Sequence, residues 1–197
     1  MPATKEQIRL RDLTEEMERH LDPLAKEKHI IVRTPQEFCR QRDIPGTIVF
    51  SAARDGRVLF SKKGWCKRYP PTGSYETRKQ EIIEQEYVCS ARDFLSQAEA
   101  SLQKGRFFRC RDFTRFAAAR AIKGIFVKYD KHPPRETDLI ELMEKAEELE
   151  PDLMRYREFM GELNGYCPRK PDSVESRRSA HMVNRTAGFV EDVLSRL

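Results

Sequence analysis

The sequence predicts a mainly α-helical protein, in which a C-terminal bundle of four to five helices follows a small α/β segment with two short strands. Apolar side chains between residues 107 and 129 are spread almost all round a helix. Such a helix has to be enclosed by others. The helical pattern before it, which ends at Lys104-Gly105, has one apolar stripe at spacings of three and four, formed by Ala91, Leu95, Ala98 and Leu102. We therefore expect residues 107–129 to form the centre of a bundle.

Three more helices complete the predicted bundle. The third has the stripe Leu139, Met143, Ala146 and Leu149, and the fourth has the stripe Leu153, Tyr156, Met160 and Leu163. The fourth stops at Asn164-Gly165, and Pro168 and Pro171 hold the next loop extended. The last helix runs from about Val174, with Ala180, Val183, Ala187, Val190 and Leu194 on one face.

The N-terminal part has a mixed pattern. A capping box at Thr4 precedes an apolar stripe and predicts a first helix over residues 4–26. Residues 29–33 and 57–60 have the apolar, β-branched composition of short strands. Between them, Thr34-Pro35 predicts the start of a second helix, and Thr47 to Arg54 can form another turn or two. We thus predict an α/β segment over 1–66, a linker over 67–86 and the bundle over 87–197.

The composition limits the classes of partner and site. The chain has 197 residues and a net charge of +5, which favours an acidic partner such as a nucleotide or RNA. Its five cysteines form no Cys-x-x-Cys pair, so we expect free thiols, no metal site and no cofactor. Cys110, in the central helix, is expected to be a core residue. No apolar run is long enough for a membrane span, and we expect a cytoplasmic protein with no membrane partner.

The bundle resembles a HEPN domain. The family's A-x-D-L…A-E pattern appears as Ala91-Arg92-Asp93-Phe94…Ala98-Glu99, and its A-A-E-K-A-L-K-A pattern appears as residues 117–124, with Ala119 at the position of the Glu. The family's Pro-Pro entry to the third helix is matched by residues 133–139. The resemblance covers residues 87 to 197. It implies a small helical bundle that forms a two-fold homodimer and acts in nucleotide-related or toxin-related processes.

The N-terminal part is similar to the C-terminal half of a minimal nucleotidyltransferase of the DNA polymerase β type. The match is the Pro-Gly-Thr segment at residues 45–47, followed by an Ala-rich turn and the strand Gly56 to Phe60. No Gly-Ser turn followed by Asp-x-Asp occurs in the chain, so the carboxylates that would hold magnesium are missing. Either the sequence begins at an internal Met or the transferase has decayed to a scaffold. A nucleotidyltransferase partner protein is a further implication.

Two sets of residues are candidates for chemistry or binding. Many HEPN domains cleave RNA without metal by an Arg and a His on one helix, and the nearest match is Arg177 with His181. At this spacing the two share a helix face, although the motif is one residue short. The alternative is a solvated or capping role. The central helix carries the second set, a candidate nucleotide- or phosphate-binding group of Arg109, Arg115, Arg120 and Lys123.

The arginines of the central helix have two interpretations. Charges on an enclosed helix need partners, because an unpaired buried charge is costly. The partners are either Asp93, Glu99 and Asp112 inside the bundle, or a ligand phosphate. Three functions stay open at this point. The first is a HEPN-type nucleotide- or RNA-associated protein with little or no catalysis, for which a place in a toxin–antitoxin pair is one option. The others are a metal-independent RNase and a dimerising structural adaptor without a ligand.

Overall fold

A computed structural model describes residues 31–56, 71–168 and 172–197, and within them the regular structure is helical, with no β-strand. The α-helices are α1 (Pro35–Gln41), α2 (Ile48–Asp55), α3 (Tyr75–Ile82), α4 (Cys89–Gln103), α5 (Phe107–Lys128), α6 (Leu139–Glu147), α7 (Arg157–Gly165) and α8 (Ser173–Leu194). A π-helical turn, Ile83–Val88, joins α3 to α4, and a 3₁₀ helix, Pro151–Tyr156, precedes α7. The prediction of a mainly helical bundle is confirmed.

Helix α5 is the centre of this bundle. It packs along α4 in an antiparallel hairpin, along α8 on another side, and against α6 and the π-helical turn. Its buried side chains include small ones, since Ala117, Ala118 and Ala121 have no exposed surface. Cys110 is buried in the same helix, as predicted, and burial raises the pKa of its thiol.

The enclosure of α5 is incomplete, which corrects our expectation. Phe108 and Phe116 keep 55% and 49% of their surface exposed. Helices α4, α6 and α8 cover part of the circumference, and no described element packs over the rest. The sequence pattern overstated the burial of α5 because every phenylalanine of the helix was assigned to the core.

Residues 75–86 are helical, although we predict a linker there. Helix α3 begins after Ser74, which accepts a hydrogen bond from the backbone of Thr77, and it continues through the π-helical turn into α4. The sequence of α3 has no apolar stripe that would predict a helix, because two of its buried positions are the charged residues Arg78 and Lys79, at 4% and 8% exposed. Arg78 binds Asp43 and the carbonyl of Arg40, and Lys79 binds Asp130 as well as Glu76 of the same helix. The partners outside α3 could not be identified from the local sequence.

The predicted strands are not shown. Ile31 to Arg33, the described part of the first, have no regular structure, and Ile31 is half exposed. A strand requires a hydrogen-bonded neighbour, and the described residues supply none. The rest of that strand, the second strand at 57–60 and the helix predicted at 4–26 lie outside the described residues. The predicted helix starts at Thr34 and Thr47 are confirmed, because each hydroxyl accepts a backbone N–H at the start of α1 or α2.

Charged side chains fix the segment 34–56 onto the bundle. The Arg78 guanidinium donates to both carboxylate oxygens of Asp43, at 2.7 and 2.8 Å, and to the carbonyl of Arg40 at 2.6 Å. This contact lowers the pKa of Asp43. A bidentate pair of this kind sets orientation as well as distance. The N-terminal helices are therefore held in one position relative to α3.

A turn at Gly46 makes a second contact between the segment 34–56 and the bundle. Gly46 has a φ of +87°, and a Cβ at this position would lie 2.5 Å from Cγ2 of Val127 and 2.6 Å from the hydroxyl oxygen of Tyr87. The Tyr87 hydroxyl donates to the Gly46 carbonyl at 2.9 Å. Both the backbone angle and the close approach require glycine.

We predict that Gly46→Ala destabilises the protein more than Gly105→Ala. Gly105, in the turn between α4 and α5, also has a positive φ, +63°, but a Cβ there would meet nothing within 4 Å. Both variants incur the left-handed backbone cost of about 1 kcal/mol, and only Gly46→Ala adds a clash of about 1–3 kcal/mol. Thermal melts should show a clearly lower Tm for Gly46→Ala. Equal decreases in Tm for the two variants would show that the neighbours of Gly46 can move to accept a Cβ at no cost in stability.

Candidate nucleic-acid interface

The uncovered side of α5 carries aromatic and cationic residues together. At 3.6 residues per turn, positions 108 to 123 of this side fall within about 140° of the helix surface. We call this surface the α5 face, and its residues are Phe108, Arg109, Asp112, Arg115, Phe116, Ala119, Arg120 and Lys123. All four candidate phosphate-binding residues belong to it.

Aromatic rings form the middle of the α5 face. The ring of Phe116 contacts Phe94 of α4, with centroids 5.6 Å apart, and Phe94 stacks on Phe113 at 6.2 Å. Phe108 lies under the guanidinium of Arg111, 5.6 Å from its ring centroid. One side of Phe116 is thus fixed by packing while half of its surface stays free for another molecule.

A cleft of about 320 Å³ lies beside Phe116. We call it the α5 cleft, and its walls are Asp112, Arg115, Phe116, Ala119 and Thr137. Thr137 comes from the loop before α6, which passes alongside α5. A cleft of this volume is at the small end of the range for ligand sites.

Arg115 is positioned by an amide and not by an acid. Its guanidinium donates to Oδ1 of Asn164 at 2.9 Å, and the amide of Asn164 donates to Asp138. Asp138 in turn caps α6 by accepting the N–H groups of Ile140 and Glu141, and the Asn164 contact lowers its pKa. The Nε of Arg115 is buried and has no acceptor among the described residues. The relay orients Arg115 but leaves it without a contacting carboxylate.

The other cations of the α5 face also lack carboxylate partners. Arg120 lies over the ring of Tyr87, 5.5 Å from its centroid. Lys123 is half-buried and makes no hydrogen bond or ion pair within the described ranges, and exposed Arg109 makes none either. Burial lowers the pKa of Lys123, and the charge of Arg120 lowers it further, against a weaker opposite effect of Glu136. The surface carries a positive charge that the described residues do not neutralise.

The acidic partners that we considered for these cations do not pair with them. Asp93 and Glu99 are exposed on α4, and Asp112 accepts from its neighbour Arg111 at 2.6 Å. Asn164, the residue that does bind Arg115, was predicted only as a helix terminator. No sequence signal could have identified it, since 49 residues separate the two.

Arg177 and His181 lie one turn apart on α8, and both are exposed. Neither makes a hydrogen bond or an ion pair within the described part of the chain. Their neighbour Arg178 lies over the ring of Tyr166, 4.9 Å from its centroid. No described contact connects the pair to the α5 face. The structure therefore presents two separate candidate sites.

Residues 31–56, 71–168 and 172–197 hold no group of three or more His, Cys, Asp or Glu side chains that could bind a metal ion. Their helices include none that is both long and apolar enough to cross a membrane.

The model of the HEPN domain family matches residues 85–196, from the π-helical turn to beyond the end of α8. This is more than half of the chain. The chain belongs to the HEPN family. No curated protein and no solved structure matches it. Because the family match begins at residue 85, it gives no support to the nucleotidyltransferase remnant that we predict for residues 1–66 of this HEPN protein.

We predict that Arg115→Gln and Arg120→Gln each change the free energy of unfolding by only about 1–2 kcal/mol, because each loses one contact with an uncharged group. Arg78→Gln is the matched comparison. It removes three hydrogen bonds of a buried guanidinium and should cost about 3 kcal/mol. Urea unfolding followed by circular dichroism measures all three. If Arg115→Gln cost as much as Arg78→Gln, Arg115 would have to compensate a buried charge.

Proposed function

We propose that this HEPN protein is a non-catalytic or weakly catalytic RNA-associated protein, which binds single-stranded RNA on the α5 face. One observation carries the proposal: two half-exposed phenylalanines share a helix face with four cations that no described carboxylate contacts. Single-stranded nucleic acid is bound by stacking of bases on aromatic rings while cations track the phosphates. Both components are present on one surface.

The geometry favours single strands over duplexes. The rings of Phe108 and Phe116 offer their exposed surfaces to a flat partner, and bases are available for stacking only where they are unpaired. The two rings are eight positions apart, which at 1.5 Å per residue is about 12 Å along the axis. A strand that follows α5 could place one base near each ring and its phosphates near the cations between them.

Membership of the family supports a role in a toxin–antitoxin pair, in which this chain would be the HEPN component. A two-fold homodimer and a nucleotidyltransferase partner protein belong to the same proposal, as does a nucleotidyltransferase-derived origin of residues 1–66. The adaptor hypothesis, in which the protein dimerises without a ligand, predicts no binding of nucleic acid to the α5 face.

RNA binding is tested with a fluorescent single-stranded dodecamer and its duplex, by anisotropy at two salt concentrations. We expect the single strand to bind more tightly, and Arg109→Gln and Arg115→Gln each to lower the salt slope by about one. Phe116→Ala should weaken binding by about 1–3 kcal/mol without changing that slope. Arg157→Gln, an equal charge change on α7 where Arg157 pairs with Glu144, is the control.

Equal loss of binding in the Arg157 and Arg109 variants would reduce the interaction to net charge and contradict a defined face. An absence of binding by the wild type, with the fold intact by circular dichroism, would contradict RNA association itself.

A second candidate is a metal-independent RNase that uses Arg177 and His181, and their joint exposure on one face of α8 favours it. There the guanidinium would stabilise the charge of the phosphorane while the imidazole moves a proton. The measurement is incubation with labelled RNA in EDTA, for the wild type and His181→Gln. We expect no cleavage by either. Cleavage by the wild type that is lost in the variant would establish the enzyme.

A further inference from the structure

The α5 face has more positive charge around the α5 cleft than an internal phosphate of RNA can neutralise, because Arg115 lines the cleft and Arg120 and Lys123 follow it along the same face. Asp112 on its wall is paired with Arg111, and Glu136 beside Thr137 is paired with Lys145 at 2.7 Å. Three cations remain without a contacting carboxylate, Arg115, Arg120 and Lys123. Burial is the main cause of the lowered pKa of Lys123, and the charge of Arg120 lowers it further against the opposing charge of Glu136.

Ala119 places two of these cations around an open space. Arg115, Ala119 and Lys123 follow one another at intervals of four residues, so they lie one above the other on the same side of α5. The methyl group of Ala119 leaves the middle position low, so a group placed above it would lie between the positions of Arg115 and Lys123 on the helix. Such a position between two cations suits an anion of about the size of a phosphate.

The charge favours a phosphate monoester over a phosphodiester. A diester has one negative charge and two free oxygens, whereas a monoester has a charge of about −1.5 to −2 and three free oxygens at neutral pH. Phe116 lies next to Arg115, one turn before the opening above Ala119, and half of its surface is free. Phe116 and Ala119 are three positions apart, which is about 4.5 Å along the helix axis, so a base stacked on Phe116 would lie close to an anion above Ala119.

We propose that the α5 cleft binds a nucleoside that carries a terminal phosphate monoester, with the phosphate between Arg115 and Lys123 and the base against Phe116. The inference rests on the proposed association with RNA and adds a preference for a phosphorylated strand end. A free nucleoside monophosphate has the same chemistry, and the experiment separates the two sources.

The test compares 5′-phosphorylated and 5′-hydroxyl RNA dodecamers of one sequence, labelled at the 3′ end. The wild type should bind the phosphorylated strand about tenfold more tightly, as expected for added charge-assisted hydrogen bonds. Lys123→Gln should remove this difference, and it should lower the affinity for the hydroxyl strand only by the one phosphate contact that Lys123 contributes to the α5 face. Lys131→Gln is the matched control, because Lys131 is an exposed lysine without a partner among the described residues, and it should keep the tenfold preference.

Ala119→Leu tests the open space without a change of charge, and it too should abolish the preference. Circular dichroism melts verify that each variant is folded. The preference should also weaken from pH 7 to pH 5, because the phosphate gains its second proton near pH 6. In a parallel experiment, calorimetry compares adenosine monophosphate with adenosine. The wild type should bind the monophosphate and not adenosine, and Lys123→Gln should bind neither.

Equal affinity for the two strands, together with no binding of the monophosphate, would overturn the inference and leave RNA association standing. Binding of the monophosphate without any binding of RNA would support the cleft with a free nucleotide as its occupant, and would overturn the proposed association with RNA. A preference that survives in both Lys123→Gln and Ala119→Leu would place the phosphate elsewhere and sink the proposal.

Discussion

The close packing of α5 against its neighbours is the constraint on which the other features depend. Ala117, Ala118 and Ala121 have no exposed surface, so neighbouring residues cover this side of α5 completely at these positions. Interiors of this kind are packed as densely as organic crystals, and side chains there have one arrangement. With α5 fixed in rotation, the residues that face outward are fixed as well. The α5 face is thus a consequence of how the opposite side of the same helix is buried.

The second constraint is electrostatic and connects the N-terminal segment to the bundle. Arg78 is buried in α3 with Asp43 and the carbonyl of Arg40 as the acceptors for its two terminal nitrogens, and a buried charge of this kind needs such partners. Tyr87, on the π-helical turn, links two regions: its hydroxyl binds the Gly46 carbonyl, and its ring lies under Arg120 of the α5 face. The turn at Gly46 and the candidate interface therefore share a side chain, although they lie on different parts of the molecule.

Much of the bundle could be predicted because its signals are local. The stripe of α4, the Thr caps of α1 and α2 and the breaks at Gly105 and Pro133 each depend on residues within a few positions of one another. The site was less accessible. The sequence identified Arg109, Arg115, Arg120 and Lys123 as cations of one helix, but it could not separate pairing inside the bundle from exposure to a ligand. That distinction depends on partners far away in the chain.

By itself, the sequence determined a helical bundle with α5 at its centre, because apolar periodicity and helix caps act over one or two turns. The tertiary structure decided that Phe108 and Phe116 stay exposed, that α3 is a helix despite its charged buried positions, and that Asn164 binds Arg115. Each of these depends on which distant residues approach a given side chain. Such contacts are set by the packing of whole helices, and a local pattern carries no information about them.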